Sequence, residues 1–516
     1  MRSRLEEKLC TPEEAAGLIK DGQTVVSGGF VGAVHPEALT GAIEKRFLNT
    51  GSPKNLTLVY AAGQGDGGNR GANHLAHKGL LKRVIGGHWG LAPRLGQLAT
   101  AGLIEAYNFP QGVICQLFRD IAAGRPGCIT HIGLGTFIDP DKGGGRINPK
   151  TREPLVEKIR LGGKDWLWYK AFPVHIGLIR GTAADFFGNI VMDDEAITGE
   201  VLPIAQAVHN SGGIVIAQVK KILDDPATPH SVKVPGILVD KIVIAEKEMH
   251  QQTFGEELNP GYYSTLPEDE SRRIKLEPMP MGPRRIIACR ALQEIGENAI
   301  ANLGIGIPED IGRAASEYGV LDRFILTLES GPIGGIPAGG LSFGASLYPQ
   351  AIIDQPAQFD FYDGRGLDFA ALGAAEIDSS GNVNVSKFGE KLPGVGGFVN
   401  ITQTAKKLVF CSTMTAGGLE IECCRNDLVI KIEGRILKFV EKVEQVSFSA
   451  RHSLEVGQEV LYITERAVFR LTGKGLELIE VAPGIDMESQ VFGVMGFKPE
   501  IGDIKPMPEK IFKTGV

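Results

Sequence analysis

Apolar residues in this chain come in short runs, each closed by glycine or proline, with amphipathic stretches between them. The runs at 23–26, 299–303 and 324–328 each predict a short strand. Helix starts are legible too. Thr11-Pro-Glu-Glu14 offers an N-cap, a proline at the first helical position and a capping box, so a helix is expected to about residue 20, ending at Asp21-Gly22. His35-Pro36-Glu37 opens a second helix to about residue 48, residues 284–295 read as a third, and Pro308-Glu309 opens a fourth. Segments 459–464 and 467–471 read as strands. The stretch Leu326-Thr-Leu-Glu-Ser-Gly-Pro-Ile-Gly-Gly-Ile-Pro-Ala-Gly-Gly340 stands apart, because its apolar run delivers a single carboxylate, Glu329, into a glycine-rich loop. The carboxyl end of a strand is where open α/β sheets bind ligands, and glycine lets backbone N–H groups approach them. A carboxylate there suits nucleophilic attack on an acyl group that arrives already activated.

The grammar of helix, strand, glycine turn and helix occurs twice. Ser27-Gly-Gly-Phe-Val-Gly32 followed by Pro36-Glu37 has its counterpart in Gly304-Ile-Gly306 followed by Pro308-Glu309. Asn55-Leu-Thr-Leu-Val59 echoes Ile325-Leu-Thr-Leu-Glu329, and Arg180-Gly-Thr-Ala-Ala-Asp-Phe-Phe-Gly-Asn-Ile-Val191 echoes Leu372-Gly-Ala-Ala-Glu-Ile-Asp-Ser-Ser-Gly-Asn-Val383. Three matches in one order indicate a duplicated α/β unit, and Val59 stands where the second copy has Glu329. The expected fold is two related open α/β domains, a fused internal duplication with parallel-rich sheets and glycine-rich βα turns at the site. The first, 1–258, carries an insertion at about 60–165 containing Gly87-His-Trp-Gly90, Tyr107-Asn-Phe-Pro-Gln-Gly112 and Gly133-Leu-Gly-Thr-Phe137. A Pro- and charge-rich linker at 259–283 leads to the second, 284–516, which holds Glu329.

Composition narrows the function classes. The length of 516 residues argues for two or three domains, and 68 glycines are about twice the usual ~7% share. A net charge of −7 argues against nucleic acid or an anionic membrane as partner. Seven scattered cysteines without a CxxC pair read as reduced thiols of a cytosolic protein, and the ten histidines form no metal-ligand motif. With no signal-peptide core and no long apolar run, a cytoplasmic location is expected.

Asn302-Leu-Gly-Ile-Gly-Ile-Pro-Glu309, Glu329-Ser-Gly331 and the turn Gly28-Gly-Phe30 resemble the signatures of family I coenzyme A transferases, and within them the single-chain acetate/propionate (short-chain acyl) subgroup. The resemblance implies that Glu329 attacks an acyl-CoA to give an acyl-glutamyl anhydride, that the released thiolate converts it to a glutamyl-CoA thioester, and that an incoming carboxylate reverses the steps. No tightly bound cofactor or metal is implied; coenzyme A is substrate, alongside short-chain carboxylates such as acetate, propionate and butyrate. Candidate oxyanion donors are the N–H groups of Gly28, Gly29 and Phe30 and, by resemblance, the amide of Gln111. Pro393-Gly-Val-Gly-Gly-Phe-Val-Asn400 resembles the glycine-rich segment that approaches the acyl-CoA, which assigns Gly394, Gly396 and Gly397 to substrate, together with Gly304, Gly306 and Gly331 of the other signatures. The resemblance also implies that 284–516 carries the catalytic Glu and most of the CoA site, and that the protein is a homo-oligomer, a tetramer in preference.

Rival readings remain open. A nicotinamide dehydrogenase is disfavoured by incomplete G-x-G-x-x-G spacing. A CoA-thioester hydrolase or a 3-oxoacid CoA-transferase on the same fold is compatible with the motifs, because exclusion of water and acyl preference are not written in them. A non-catalytic acyl-CoA-binding protein would sooner carry Gln or Ala at position 329. His88 is expected to be a loop histidine satisfied by backbone, His250 to sit in a polar surface turn, Cys423-Cys424 to be core packing, and Glu376 to lie outside the site.

Overall fold

The apolar runs become the central strands of two sheets in a computed structural model that describes residues 5–265, 276–424 and 427–513; residues 266–275 of the expected linker lie outside them. In the first unit the strands are β1 (Thr24–Ser27), β2 (Leu56–Tyr60), β3 (Leu81–Gly86), β4 (Glu105–Asn108), β5 (Ile176–Arg180), β6 (Ile214–Val219) and β7 (Lys241–Ile244). They pair in parallel throughout, in the order β7-β6-β5-β1-β2-β3-β4. Every residue of β1 and β5 is buried, as strands covered on both faces require. The helices of this unit include α1 (Pro12–Gly17), α2 (Glu37–Thr50), α3 (Gln111–Ala122) and α4 (Val201–Asn210). The capping box forms at α1, where Glu14 N–H donates to Thr11 Oγ1 at 3.1 Å and Thr11 N–H donates to the Glu14 carboxylate at 2.8 Å.

The second unit holds β8 (Ile300–Leu303), β9 (Ile325–Thr327), β10 (Phe369–Gly373), β11 (Lys407–Cys411), β12 (Glu459–Ile463), β13 (Ala467–Thr472), β14 (Gly475–Val481) and β15 (Glu500–Pro506). Their order is β9-β8-β10-β11-β12-β13-β14-β15, parallel as far as β12 and antiparallel on either side of β13. Helices α5 (Pro283–Leu292) and α6 (Asp310–Glu317) flank β8 in sequence.

The two sheets share one topology. The order β7-β6-β5-β1-β2 of the first repeats as β12-β11-β10-β8-β9 in the second. The duplicated Asp-x-x-Gly-Asn turns match atom for atom. Asp185 accepts from the N–H groups of Phe187 and Asn189 and from Asn189 Nδ2, while Asp378 accepts from Ser380, Asn382 and Asn382 Nδ2. Between β2 and β5 the first copy adds β3, β4, α3 and a small antiparallel sheet (Gly127–Thr130, Lys164–Lys170, Val156–Leu161).

Packing divides the chain differently from the sequence boundary. The first unit comprises Met1–Thr265 but also Leu328–Asp360 and Gly389–Asn400, and the second comprises Leu266–Thr327, Phe361–Phe388 and Ile401–Val516. Glu329 and the glycine segment therefore group with the first unit.

Each Asp turn is a measurable element of stability. Asp185→Ala and Asp378→Ala each leave part-buried N–H donors without their acceptor, and each is expected to cost roughly 1–3 kcal/mol. Asp185 also receives Ala227 N–H, so its loss should lower the calorimetric transition of the protein more than loss of Asp378.

Candidate functional site

Strand β9 ends at Thr327, and the chain folds at once into a tight turn in which Gly331 N–H donates to Leu328 O at 3.0 Å and Leu328 N–H to Pro332 O at 2.9 Å. Glu329 and Ser330 are the two central residues. Ser330 points inward, fully buried, and anchors the turn by donating to Gly344 O at 2.6 Å. Gly331, at φ +122°, lets the backbone of Ile353 close in; a Cβ there would stand 2.1 Å from Ile353 O. The triplet divides its labour: Glu presents a carboxylate, Ser pins the turn, Gly admits a neighbouring strand.

The Glu329 carboxylate makes no hydrogen bond or ion pair among the described residues, and burial alone pushes its pKa up to about 7 from 4.5. The segment carrying Gly394 to Gly397 presses on it. A Cβ on Gly397 would fall 2.1 Å from Glu329 Oε2 and 3.3 Å from the ring of Phe359, so no larger residue fits. Phe359 lies on α7 (Gln355–Asp363) and also crowds Gly112, on which a Cβ would fall 2.5 Å from its ring.

Gln111 opens α3, buried, and its N–H donates to Gly396 O at 2.9 Å. Its side-chain Nε2 is buried without an acceptor. A Cβ on Gly396 would lie 3.5 Å from Gln111 Oε1 and 3.7 Å from His88 Cβ, so Gln111 and His88 flank the segment one residue before Gly397. His88 Nδ1 is buried and unpartnered, not satisfied by backbone, because Gly63 and Gly90 crowd the ring; burial takes its pKa down to about 4, so it is neutral. Trp89 is a fully buried anchor whose Nε1 donates to Gly86 O at 3.2 Å.

In the turn after β1 two of the three expected donors are already used. Gly28 N–H is taken by Leu178 O at 3.0 Å and Phe30 N–H by Ala33 O at 2.9 Å, so neither is free for a substrate oxygen. Gly29 N–H faces the carboxyl of Glu200, whose burial raises its pKa to about 8. The turn serves as a wall: the Phe30 ring lies 5.6 Å from that of Phe343 and abuts Gly344, the residue that anchors Ser330. Buried polar groups hold it from behind. Gln64 Nε2 donates to Ser27 O (2.8 Å) and Gly29 O (3.3 Å), while Gln64 Oε1 accepts from Ser27 Oγ and His35 Nδ1 at 2.8 Å each. Arg180, paired with buried Glu195 at 2.9 Å, donates to His35 O at 3.4 Å. His250 completes this group from a buried position, 3.3 Å from Glu195, so the expected surface turn is corrected.

Gly304 and Gly306 belong to the second unit, at the carboxyl end of β8, whereas Glu329 belongs to the first. Gly306 has φ +85° and open space where a Cβ would be. Glu376 accepts from Asn384 Nδ2 and Glu444 N–H in the second unit, a structural role. Cys424 is exposed at the end of a hairpin strand, not core. Ser330, Phe359 and the Gln64–His35 network were missed by sequence reasoning; only Ser330, inside a quoted motif, carried any signal.

A model of the family described as Coenzyme A transferase matches residues 10–245. The chain is 43% identical to the acetate CoA-transferase YdiF of Escherichia coli (strain K12) over 503 residues, covering 97% of this chain and 94% of that one. It is 42% identical to the caffeate CoA-transferase of Acetobacterium woodii over 513 residues, covering 98% and 97%. The crystal structure of acyl-CoA transferase YdiF from E. coli O157:H7 in a thioester complex with CoA superposes with a TM-score of 0.92 at 40% identity, covering 99% of this chain and 97% of that one.

Folding binds the Glu329 proton more tightly, so its ionisation opposes stability. The cost is absent below the ordinary carboxylate range and grows as pH rises from 4.5 to about 7. Glu329→Gln should therefore be more stable than the wild type by about 1–3 kcal/mol near pH 8, allowing for the partial exposure of the side chain, and equal to it near pH 4 in denaturant titrations.

Proposed function

The chain belongs to the coenzyme A transferases and moves coenzyme A between an acyl-CoA and a carboxylate, and we propose that it does so by double displacement on Glu329 with short-chain acids as substrates. The observation that carries the mechanism is the state of Glu329: a carboxylate largely out of water, with no cation beside it. Its raised pKa makes the ionised form a stronger nucleophile than an ordinary carboxylate. In the first step a Glu329 oxygen bonds to the thioester carbonyl, and the C–S bond breaks to give the anhydride and CoA thiolate. The thiolate then attacks the glutamyl carbonyl, releasing the first acid and leaving a glutamyl-CoA thioester. A second carboxylate reverses both steps.

Each tetrahedral intermediate needs donors for its oxyanion, worth roughly 3 kcal/mol apiece. We assign these to Gln111 Nε2, buried without an acceptor, and to Gly397 N–H, which donates to no acceptor among the described residues. Gly394 and Gly396 shape this segment, Gly331 acts as a spacer within the nucleophile turn, and Gly304 and Gly306 are assigned to CoA contact on resemblance alone. Neutral His88 and the neutral amide leave the Glu329 charge unpaired, where a lysine would pair with it and blunt it. Preference for acetate, propionate or butyrate draws support from the name of the acetate-using relative, while the caffeate enzyme shows that a similar chain accepts a larger acid. No helix among the described residues is long and apolar enough to cross a membrane. A cytoplasmic homo-oligomer, a tetramer in preference, completes the reading by resemblance.

Intact-protein mass spectrometry after mixing with acetyl-CoA tests it. The expected result is a CoA adduct on the peptide holding Glu329, discharged by propionate or butyrate and absent in Glu329→Gln. Gly397→Ala, whose methyl would collide with the carboxylate, should slow adduct formation by about 100-fold. Acetyl-CoA left intact with no adduct would overturn the glutamyl route; acetyl-CoA consumed with no adduct and no acceptor acid would indicate hydrolysis.

A further inference from the structure

Asn108 is the last residue of β4 and is buried, two residues before Pro110. Its side chain joins two segments far apart in sequence. Nδ2 donates to the carbonyls of Gly86 at 2.9 Å and Gly87 at 2.5 Å, at the end of β3, while Oδ1 accepts the N–H of Val395 at 3.1 Å. The Val395 N–H can meet only an acceptor, which fixes the orientation of the amide. Around this clasp the segment is laid like an added strand. Trp89 N–H and Gly90 N–H donate to Pro393 O at 2.6 and 3.0 Å, Gly396 N–H to Gly87 O at 2.8 Å, and Gln111 N–H to Gly396 O at 2.9 Å. Gly394 has φ +75°, and a Cβ there would fall 2.8 Å from Trp89 Cδ1 and 3.1 Å from Asn108 Nδ2. The next two glycines, Gly396 and Gly397, face Gln111 and Glu329.

We propose that Asn108 is a positioning residue for the transfer reaction: it sets the depth at which residues 393–397 close over Glu329 and fixes the register of Gln111 and Gly397 beside it. The proposal rests on the transferase reading. The side-chain requirement is narrow, since one group must donate to two carbonyls and accept from one N–H at this reach. Asp keeps the acceptor but loses both donors, Ala loses all three bonds, and Gln adds a methylene that carries the amide out of this reach. Without the clasp the Val395 N–H is stranded and the segment can lift, which lets water reach the Glu329 carboxylate and displaces the donors.

The test is the rate of CoA-adduct formation on Glu329, followed by quenched intact mass against pH and acetyl-CoA concentration for wild type, Asn108→Ala and Asn108→Asp, with folding checked by circular dichroism. In Asn108→Ala the saturating rate should fall by about 100-fold, the scale of an ångström-sized misplacement, while the half-saturating acetyl-CoA concentration changes by less than about threefold. The acidic limb of its pH profile should move from near 7 towards the ordinary carboxylate range as water enters; His88, with its pKa near 4, does not titrate in that window. Asn108→Asp places a carboxylate against the Gly86 and Gly87 carbonyls, so it should lose at least as much rate as Asn108→Ala. Rates within about threefold of wild type in either variant, or a loss in Asn108→Ala with the limb unmoved, would overturn the positioning role. Should Asn108→Ala not fold, a rate for Asn108→Asp within about threefold of wild type overturns it as well. Absence of any adduct on the wild type would instead overturn the transferase reading itself, a distinct outcome.

Discussion

A carboxylate kept largely from water with no positive charge to compensate it is the constraint on which this protein depends. Removing a charge from water costs free energy that is normally recovered by pairing. Glu329 is not paired, so the surrounding structure has to supply that energy through contacts that are close, neutral and fixed. Gly397 approaches where no side chain fits, Phe359 closes a flank, His88 is held uncharged, and Gln111 contributes an amide. The energy not recovered is visible as the raised pKa. In the proposed mechanism it is also what makes this carboxylate reactive towards a thioester.

The turn after β1 is held in an unusual conformation by its neighbours. Val31 and Val34 hold left-handed φ of +55° and +59°, a region that branched residues avoid. Such strain persists only where neighbours over-determine the backbone. Here Val31 N–H donates to Gly63 O at 2.7 Å and Gly65 N–H to Val31 O at 3.0 Å, with Gln64, His35 and the Arg180–Glu195 pair behind. Strain and buried charge are concentrated in the part of the site that must not move.

Much of this was legible in the sequence, and the failures have physical causes. The duplication, the strands and the nucleophile turn follow from local patterns: Gly and Pro after apolar runs, a capping box, and a repeated Asp-x-x-Gly-Asn. The divergence of the copies was visible at one position. In β2 the strand runs on, with buried Val59 in register beside Val26, whereas β9 stops at Thr327 and frees Glu329 to turn outward. Illegible were the roles of Asn108, Phe359 and His88, because each is defined by a partner hundreds of positions away or by a side chain left unpaired. Gly28 and Phe30 misled because a glycine-rich turn announces an available backbone without saying whether its N–H groups are already used.

The interleaving of late segments among early loops bears on how the protein comes into being. Val395 bonds to Asn108 across 287 positions, and Gly112 to Asn400 across 288. During synthesis the amino-terminal sheet can form early, but it holds an empty berth where residues 328–360 and 389–400 belong. A nascent chain that already displays Glu329 lacks the residue that presses on its carboxylate until Gly397 has been made. The surroundings of this carboxylate are therefore completed late in synthesis.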